Sequence, residues 1–141
     1  MRYAATDEMI VLRLSQGDDI HQSISQVCMD NNIDSAIVTN GLGMVDSVIF
    51  GWFTGNEYVN ERYSETLEIS SLNGDISYKK DKIYVHLHGV FNRPEHTTLS
   101  GHVLEAKVHN NAEIFIKPLQ SIVLNRTFDG WFEALAPERR L

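Results

Sequence analysis

Cysteine is nearly absent from this chain: Cys28 is the only one among 141 residues. No disulfide can form within the chain, which is typical of proteins from a reducing compartment. Long apolar runs are missing too, because no segment approaches the roughly 18 apolar residues that cross a bilayer. The first residues, MRYAATDEMIVLRL, lack the continuous apolar stretch of a signal peptide. These absences predict a soluble, cytoplasmic protein without a membrane partner.

Positive charge is scarce as well. Twelve lysines and arginines stand against nineteen acidic residues, and the formal net charge is −7. A chain of this charge repels a phosphate backbone on average, so a nucleic-acid partner is not favoured. The densest basic cluster is Lys79, Lys80 and Lys82, which Asp81 interrupts. This pattern indicates a solvated hairpin turn.

Common nucleotide-binding and catalytic motifs are also missing. Gly41 and Gly43 form a G-x-G pair, but Asp46 occupies the third glycine position and no helical pattern follows. The dinucleotide-binding fingerprint therefore fails, and the chain has neither a P-loop nor a G-x-S-x-G motif. No Ser/His/acid arrangement is evident along the chain, although a triad assembled only in space would not be visible in a sequence.

One segment has the periodicity of an amphipathic helix. Its apolar residues recur at helical spacing: Ile20, Ile24, Val27 and Cys28. Gly17-Asp18-Asp19 offers an N-cap, and the helix is expected to end near Asn31-Asn32. Cys28 lies on the apolar stripe, which favours a small core residue over a nucleophile.

The remaining sequence is typical of strands separated by turns. A turn or bulge is predicted at Asn40–Gly43, and turns are predicted at Asn73–Gly74, His109–Asn111 and Asp129–Gly130. One helix with many hairpin-linked strands predicts an α+β fold with a mostly antiparallel sheet. Because the chain has no linker, repeat or low-complexity segment, a single domain over residues 1–141 is expected.

Two histidines lie one residue apart in the apolar segment YVHLHGVF. Alternate residues of a strand point to the same face, so His86 and His88 share one face while Val85 and Leu87 take the other. Val85 and Leu87 are the natural core residues. The histidine face is therefore either solvated or part of a polar pocket.

A third histidine can join this pair through the next hairpin. The segment NRPEHT, residues 92–97, is polar and contains proline, and strands are predicted on both of its sides. If this loop is centred on Glu95, His88 lies opposite His102, whereas a centre on Pro94 places His86 opposite His102. Either register brings three imidazoles together, and an odd register would not.

Three neutral imidazoles suit a divalent transition metal. Zinc is favoured, because three protein ligands and an open fourth position make a catalytic type of zinc site. Iron, nickel or manganese would also accept such ligands. The alternative is three solvated or hydrogen-bonded strand histidines. The other histidines, His21, His96 and His109, are expected at the surface.

Several segments, in this order and spacing, resemble the plant-and-prokaryote conserved (PPC) domain family from about Met9 to Leu135. They are LRLSQGDDIHQSI, VTNGLGMVDSVIFGWF, ETLEISSLNGDIS, VHLHGVF, LSGHVLEAKV and AEIFIKPL. The resemblance implies a strongly curved sheet with one main N-terminal helix, assembled as a homotrimer. It also implies a metal site at His86, His88 and His102, although Ser100 replaces the first glycine of the family's usual pair. The family's fold is similar to that of acetolactate decarboxylase, a zinc enzyme with a comparable histidine pattern.

The resemblance leaves three functions open. The first is a trimeric metal-binding protein with a small-molecule or enzymatic role, for which Glu68, Glu105 and Arg13 are candidate polar groups by family position only. Without a bulge, strand parity turns Glu105 away from His102. The second is a DNA-binding regulatory protein, although the Arg-Gly-Arg-Pro hook of plant members is absent here. The third is an interaction module whose trimer interface is its function.

Overall fold

The computed structural model describes residues 1–141 and contains nine strands and one helix. In chain order they are β1 Arg2–Ala5, β2 Ile10–Ser15, α1 Ile20–Asp30, β3 Ala36–Phe53, β4 Tyr58–Tyr63, β5 Leu67–Lys79, β6 Lys82–Asn92, β7 Thr98–Pro118, β8 Ile122–Phe128 and β9 Glu133–Arg139. The helix α1 is not long and apolar enough to cross a membrane.

All nine strands belong to one sheet, in the order β1-β2-β7-β3-β5-β8-β9, with β4 paired to β3. The strand β6 pairs with both β5 and β7, and β3 also pairs with both of these strands. The four strands β3, β5, β6 and β7 therefore close into a ring. Every pairing is antiparallel except a single parallel bridge between β5 and β8. The predicted α+β class and the curved, mostly antiparallel sheet are confirmed.

The helix α1 packs against β6 and β7. Its N-cap is Asp19, whose Oδ1 accepts a 3.0 Å hydrogen bond from the amide of Gln22. The four apolar residues predicted for its inner stripe are all fully buried, and they join a core cluster of 23 residues. Burial of each large apolar side chain contributes roughly 1.5–3 kcal/mol, so this stripe holds the helix to the strands that carry the histidines. The predicted core position of Cys28 is confirmed.

Two of the predicted turns are absent, because long strands continue through both positions. The strand β5 continues through Asn73–Gly74, and the chain instead reverses at Lys80 and Asp81, both of which have positive φ. Glycine is needed at position 74 because a Cβ there would overlap the carbonyl oxygen of His86. This glycine therefore allows close strand approach rather than a turn.

The predicted turn at His109–Asn111 is also wrong, because β7 runs without interruption from Thr98 to Pro118. An irregularity of the strand replaces it, with Asn110 at φ 59° and a register shift against Gly43 and Val45 of β3. A second shift in β3, between Val38 and Asn40, makes the predicted feature there a bulge. The turn at Asp129–Gly130 is confirmed between β8 and β9.

Candidate metal centre

The hairpin of β6 and β7 brings the histidines together. Its strands pair with His88 directly opposite His102 and Asn92 opposite Thr98, so the loop is centred on Glu95. The loop is closed by a 2.9 Å hydrogen bond from the amide of Arg93 to the carbonyl of Thr97. Of the two registers that the sequence allowed, this is the one that the structure contains.

The three imidazole rings form a compact cluster. Ring centroids of His86 and His102 are 4.9 Å apart, those of His86 and His88 are 5.2 Å apart, and those of His88 and His102 are 5.3 Å apart. The ring of His88 stands nearly perpendicular to the other two. Nε2 of His86 lies 3.1 Å from Nδ1 of His102. The predicted convergence of the three side chains is confirmed.

The donor atoms of this cluster fit a metal ion. One nitrogen from each histidine can be chosen so that all three lie within 4.8 Å of one another. Tetrahedral ligands about 2.0–2.1 Å from a zinc ion are separated by roughly 3.3 Å. Nε2 of His86 and Nδ1 of His102, which lie 3.1 Å apart, are already close to this spacing.

The electrostatics of the cluster favour neutral rings at His88 and His102. Burial, followed by the charges that His86 and His88 can carry, lowers the pKa of His102 to about 4. Burial and then the neighbouring His86 lower the pKa of His88 below its usual value. At neutral pH these two rings are unprotonated, and a neutral imidazole has the lone pair that a metal requires.

The carboxylate of Asp75 contacts the ring of His86. Nδ1 of His86 lies 3.1 Å from Oδ2 of Asp75, and Asp75 is in turn bonded to Arg126 at 2.7 Å and 2.8 Å. Burial alone would raise the pKa of Asp75, but hydrogen bonds from His86 and Arg126 outweigh it and the pKa is lowered. The carboxylate is therefore ionised, and ligating histidines commonly have such a partner.

The sequence alone did not reveal Asp75 or Arg126 as site residues. The cross-strand pairing of Asp75 with His86 follows only once β5 is known to continue past Gly74, where a turn was predicted. Arg126 lies in β8, 51 residues after Asp75 in the sequence. No local signal in the sequence marks either residue.

A cleft of about 610 Å³ opens in front of the three histidines. Its walls are largely aromatic: Phe50, Trp52, Phe53, Tyr58 and Tyr63. The ring of Tyr58 lies 5.6 Å from that of His102. Ser100 and Gly101 form part of the rim, and Glu61 supplies an acidic group. The exposed side of the cluster thus faces a cleft large enough for a small molecule.

The other polar candidates lie away from this cleft. Glu68 and Arg13 have exposed side chains and do not line it. Strand parity alone predicts that Glu105 points away from His102. The pairing of β7 with β3 shifts register between these two residues, however, so β7 has a bulge there and the parity argument does not hold. Glu105 forms a 3.7 Å ion pair with Arg62 and does not line the cleft either.

The remaining histidines differ in their exposure. His96 is exposed in the loop, and the half-buried His109 lies 2.6 Å from Asp46. His21 is half-buried as well, and its Nδ1 is buried without a hydrogen-bond partner. His21 lines a second hollow of about 550 Å³ between α1 and the β6–β7 hairpin, which His102 also lines. Burial lowers the pKa of His21.

Three solved structures share this fold over nearly their whole length. A plant- and prokaryote-conserved (PPC) protein from Pyrococcus horikoshii is 27% identical, with a TM-score of 0.86 over 99% of this chain and 97% of that chain. A metal-containing protein from Archaeoglobus fulgidus is 28% identical, with a TM-score of 0.82 over 96% and 95%. A "putative dna binding protein" from Bacteroides thetaiotaomicron is 22% identical, with a TM-score of 0.87 over 97% and 96%, which shows the fold alone.

Sequence comparison agrees with the structural likeness. No curated protein matches the chain significantly. The model of the Plants and Prokaryotes Conserved (PCC) domain, however, matches residues 1–120, which include all three clustered histidines. The chain therefore belongs to the plant- and prokaryote-conserved domain family.

Proposed function

We propose that this protein binds a divalent transition metal, zinc in the first place, through His86, His88 and His102. The observation that carries the proposal is the approach of three donor nitrogens within 4.8 Å. Neutral rings at His88 and His102 and the carboxylate behind His86 support it, because both make these imidazoles better ligands. A related protein from Archaeoglobus fulgidus is named as metal-containing.

The site has the layout of an open metal centre rather than a closed structural one. Three protein ligands would leave a position free for another molecule, and all three histidines line the cleft of about 610 Å³. A metal held there would supply Lewis acidity to an oxygen of a bound molecule or lower the pKa of a water. The aromatic walls would hold an apolar part of that molecule and exclude water. The proposed role is therefore the binding or chemical conversion of a small molecule.

The proposed assembly is a homotrimer in the cytoplasm. Large aromatic side chains are unusually exposed in the single chain, with Trp52 at 75%, Trp131 at 77% and Phe128 at 68%. Exposed apolar groups of this kind favour burial against another copy. The single cysteine is a buried free thiol, which suits a reducing compartment.

Metal analysis tests the proposal. Protein purified without a histidine tag is expected to contain close to one metal ion per chain, or to take up one zinc ion when zinc is added. The substitution His88→Ala should weaken binding by more than the roughly 10–100-fold that loss of an outer partner costs. His96→Ala, in the exposed loop, is the matched control and should bind as the wild type does. A wild-type protein that neither contains nor takes up metal would overturn the proposal.

DNA binding is the second candidate function, and its support is the name of the Bacteroides protein. The basic cluster offers little free charge, because Lys80 pairs with Glu133 at 3.2 Å and Lys79 lies over the ring of Tyr84. With a net charge of −7, we expect no retardation of duplex DNA in a gel at low salt. Binding that weakens steeply with added salt would instead support this function.

A further inference from the structure

A buried arginine connects the C-terminal hairpin to the histidine cluster. Arg126 of β8 is 8% exposed. Its Nη2 lies 2.7 Å and 2.8 Å from the two carboxylate oxygens of Asp75, and its Nε donates to Oγ of Ser77 at 3.1 Å. Asp75 and Ser77 are two residues apart on β5 and share a face. One guanidinium group therefore holds two positions of the strand that pairs with His86.

Backbone pairing links the C-terminal hairpin to β5 only weakly. The strands β5 and β8 share a single bridge, Tyr78 with Asn125. The remaining backbone partner of β8 is β9, with which it forms the terminal hairpin. The side chain of Arg126 is therefore a main polar link between the hairpin and the site. The hairpin also lies beyond residues 1–120, which are the ones that the family model matches.

Two neighbours compete for Nδ1 of His86. Oδ2 of Asp75 lies 3.1 Å away and Nη2 of Arg126 lies 3.3 Å away. A carboxylate only accepts and a guanidinium only donates, so a proton on Nδ1 selects Asp75, and a lone pair there would select Arg126. The ring then carries its proton on Nδ1 in the first case and on Nε2 in the second. Only the first case leaves the Nε2 lone pair free on the side that faces His102.

The geometry around Arg126 decides between these two cases. Nη2 lies 2.7 Å and 2.8 Å from the two oxygens of Asp75, so one of its hydrogens points between them and is directed at the carboxylate rather than at Nδ1. The contact of Nη2 with Nδ1 is longer, at 3.3 Å, than the 3.1 Å between Nδ1 and Oδ2 of Asp75. The carboxylate, held in place by Arg126, is therefore the favoured partner of Nδ1 and accepts its hydrogen.

We propose that Asp75, clamped by Arg126, is a positioning residue that fixes His86 in the tautomer with its proton on Nδ1. The C-terminal hairpin thereby becomes part of the site, since it supplies the clamp. The consequence for metal affinity rests on the proposed function, whereas the tautomer itself can be observed in the metal-free protein.

The first arm of the test reads the tautomer without metal. Long-range nitrogen–proton NMR spectra of chelator-treated protein should show His86 protonated at Nδ1. In Asp75→Asn the amide accepts less strongly and releases a hydrogen of Arg126, so a shift toward the Nε2-protonated ring is expected. A wild-type ring protonated at Nε2, or an unchanged tautomer in Asp75→Asn, would overturn the proposal.

The second arm measures zinc affinity in a double-mutant cycle. Asp75→Asn should weaken binding by roughly 10–100-fold, as expected for a lost outer partner. Arg126→Met should weaken it in the wild-type background and add no further loss beside Asp75→Asn, because it acts through Asp75. Additive losses, or no loss on Arg126→Met, would contradict the clamp.

Controls separate this proposal from folding defects and from the proposed function. Arg93→Met removes a comparable pair, with Glu65 at 2.8 Å and 3.1 Å, and should leave zinc affinity unchanged. Should Arg126→Met fail to fold, Arg126→Lys replaces it. Lysine has one donor nitrogen in place of the separate Nε and Nη2 that bond to Ser77 and Asp75, so a loss of affinity is again expected. A wild-type protein that binds no zinc refutes the proposed function, and the tautomer arm then still decides the positioning role.

Discussion

At the scale of the residue, the surroundings of His88 and His102 keep these two clustered rings uncharged at neutral pH. Burial and mutual repulsion lower the pKa of His102 and His88, while Asp75 accepts from the third ring. Strand parity predicted that His86 and His88 share a face, and an even register of the next hairpin, one of the alternatives left open, predicted that His102 joins them. The carboxylate and its arginine were beyond such reasoning, because they come from other strands.

The pH dependence of stability follows from His102. Its pKa of about 4 in the folded protein is below the ordinary value of 6.5, so the unfolded chain takes up the proton first as pH falls. The free energy of unfolding of the metal-free protein should therefore decrease from about pH 6.5 towards pH 4. Urea denaturation of chelator-treated wild type and His102→Gln measures this, and the variant should show a shallower decline. Equal declines in the two proteins would contradict the assignment.

The thiol of the single cysteine should be unreactive in the folded protein. Burial raises the pKa of the Cys28 thiol to about 12, so almost no thiolate exists at pH 8. A thiol reagent such as Ellman's should label the native protein far more slowly than the protein in denaturant. Rapid labelling of the native protein would show that α1 opens readily or that Cys28 is not in the core.

At the scale of the element, long bent strands rather than short hairpins determine the fold. The Asn73–Gly74 pair predicts a turn by its composition, yet the glycine serves close contact with the carbonyl of His86. This contact joins residues of different strands, so neighbouring sequence could not reveal it. The helix and the β8–β9 hairpin were predicted correctly because capping, apolar spacing and the Asp129–Gly130 turn are local signals.

Gly74→Ala tests the close approach of β5 and β6. The added methyl would meet the carbonyl oxygen of His86, which is backbone and cannot move aside without displacing β6. We expect a loss of roughly 1–3 kcal/mol in the free energy of unfolding, or more, measured by urea denaturation. Asn73→Ala, an exposed neighbour on the same strand, is the control and should change stability little. Equal stability of Gly74→Ala and wild type would contradict the observed packing.

At the scale of the whole molecule, the closed ring of β3, β5, β6 and β7 presents one face of the β6–β7 hairpin to a cleft. Aromatic side chains at the ends of the β3–β4 and β8–β9 hairpins are exposed to solvent in the single chain. The proposed trimer would cover part of this surface.

Light scattering coupled to size exclusion tests the proposed trimer. Three chains of 16.0 kDa give a native mass of about 48 kDa. Trp131→Glu, which places a charge at the most exposed tryptophan, should weaken assembly if this surface lies in the interface. A mass of about 16 kDa for the wild type at micromolar concentration would refute the trimer.

The measurement that tests the central claim most directly is a crystal structure of zinc-loaded protein, with anomalous data collected on both sides of the zinc absorption edge. The account predicts one anomalous peak per chain, about 2.0–2.1 Å from a nitrogen of each of His86, His88 and His102. The open side of that peak should face the aromatic cleft. Absence of any peak there, with the three rings hydrogen-bonded to one another or to backbone, would contradict the account.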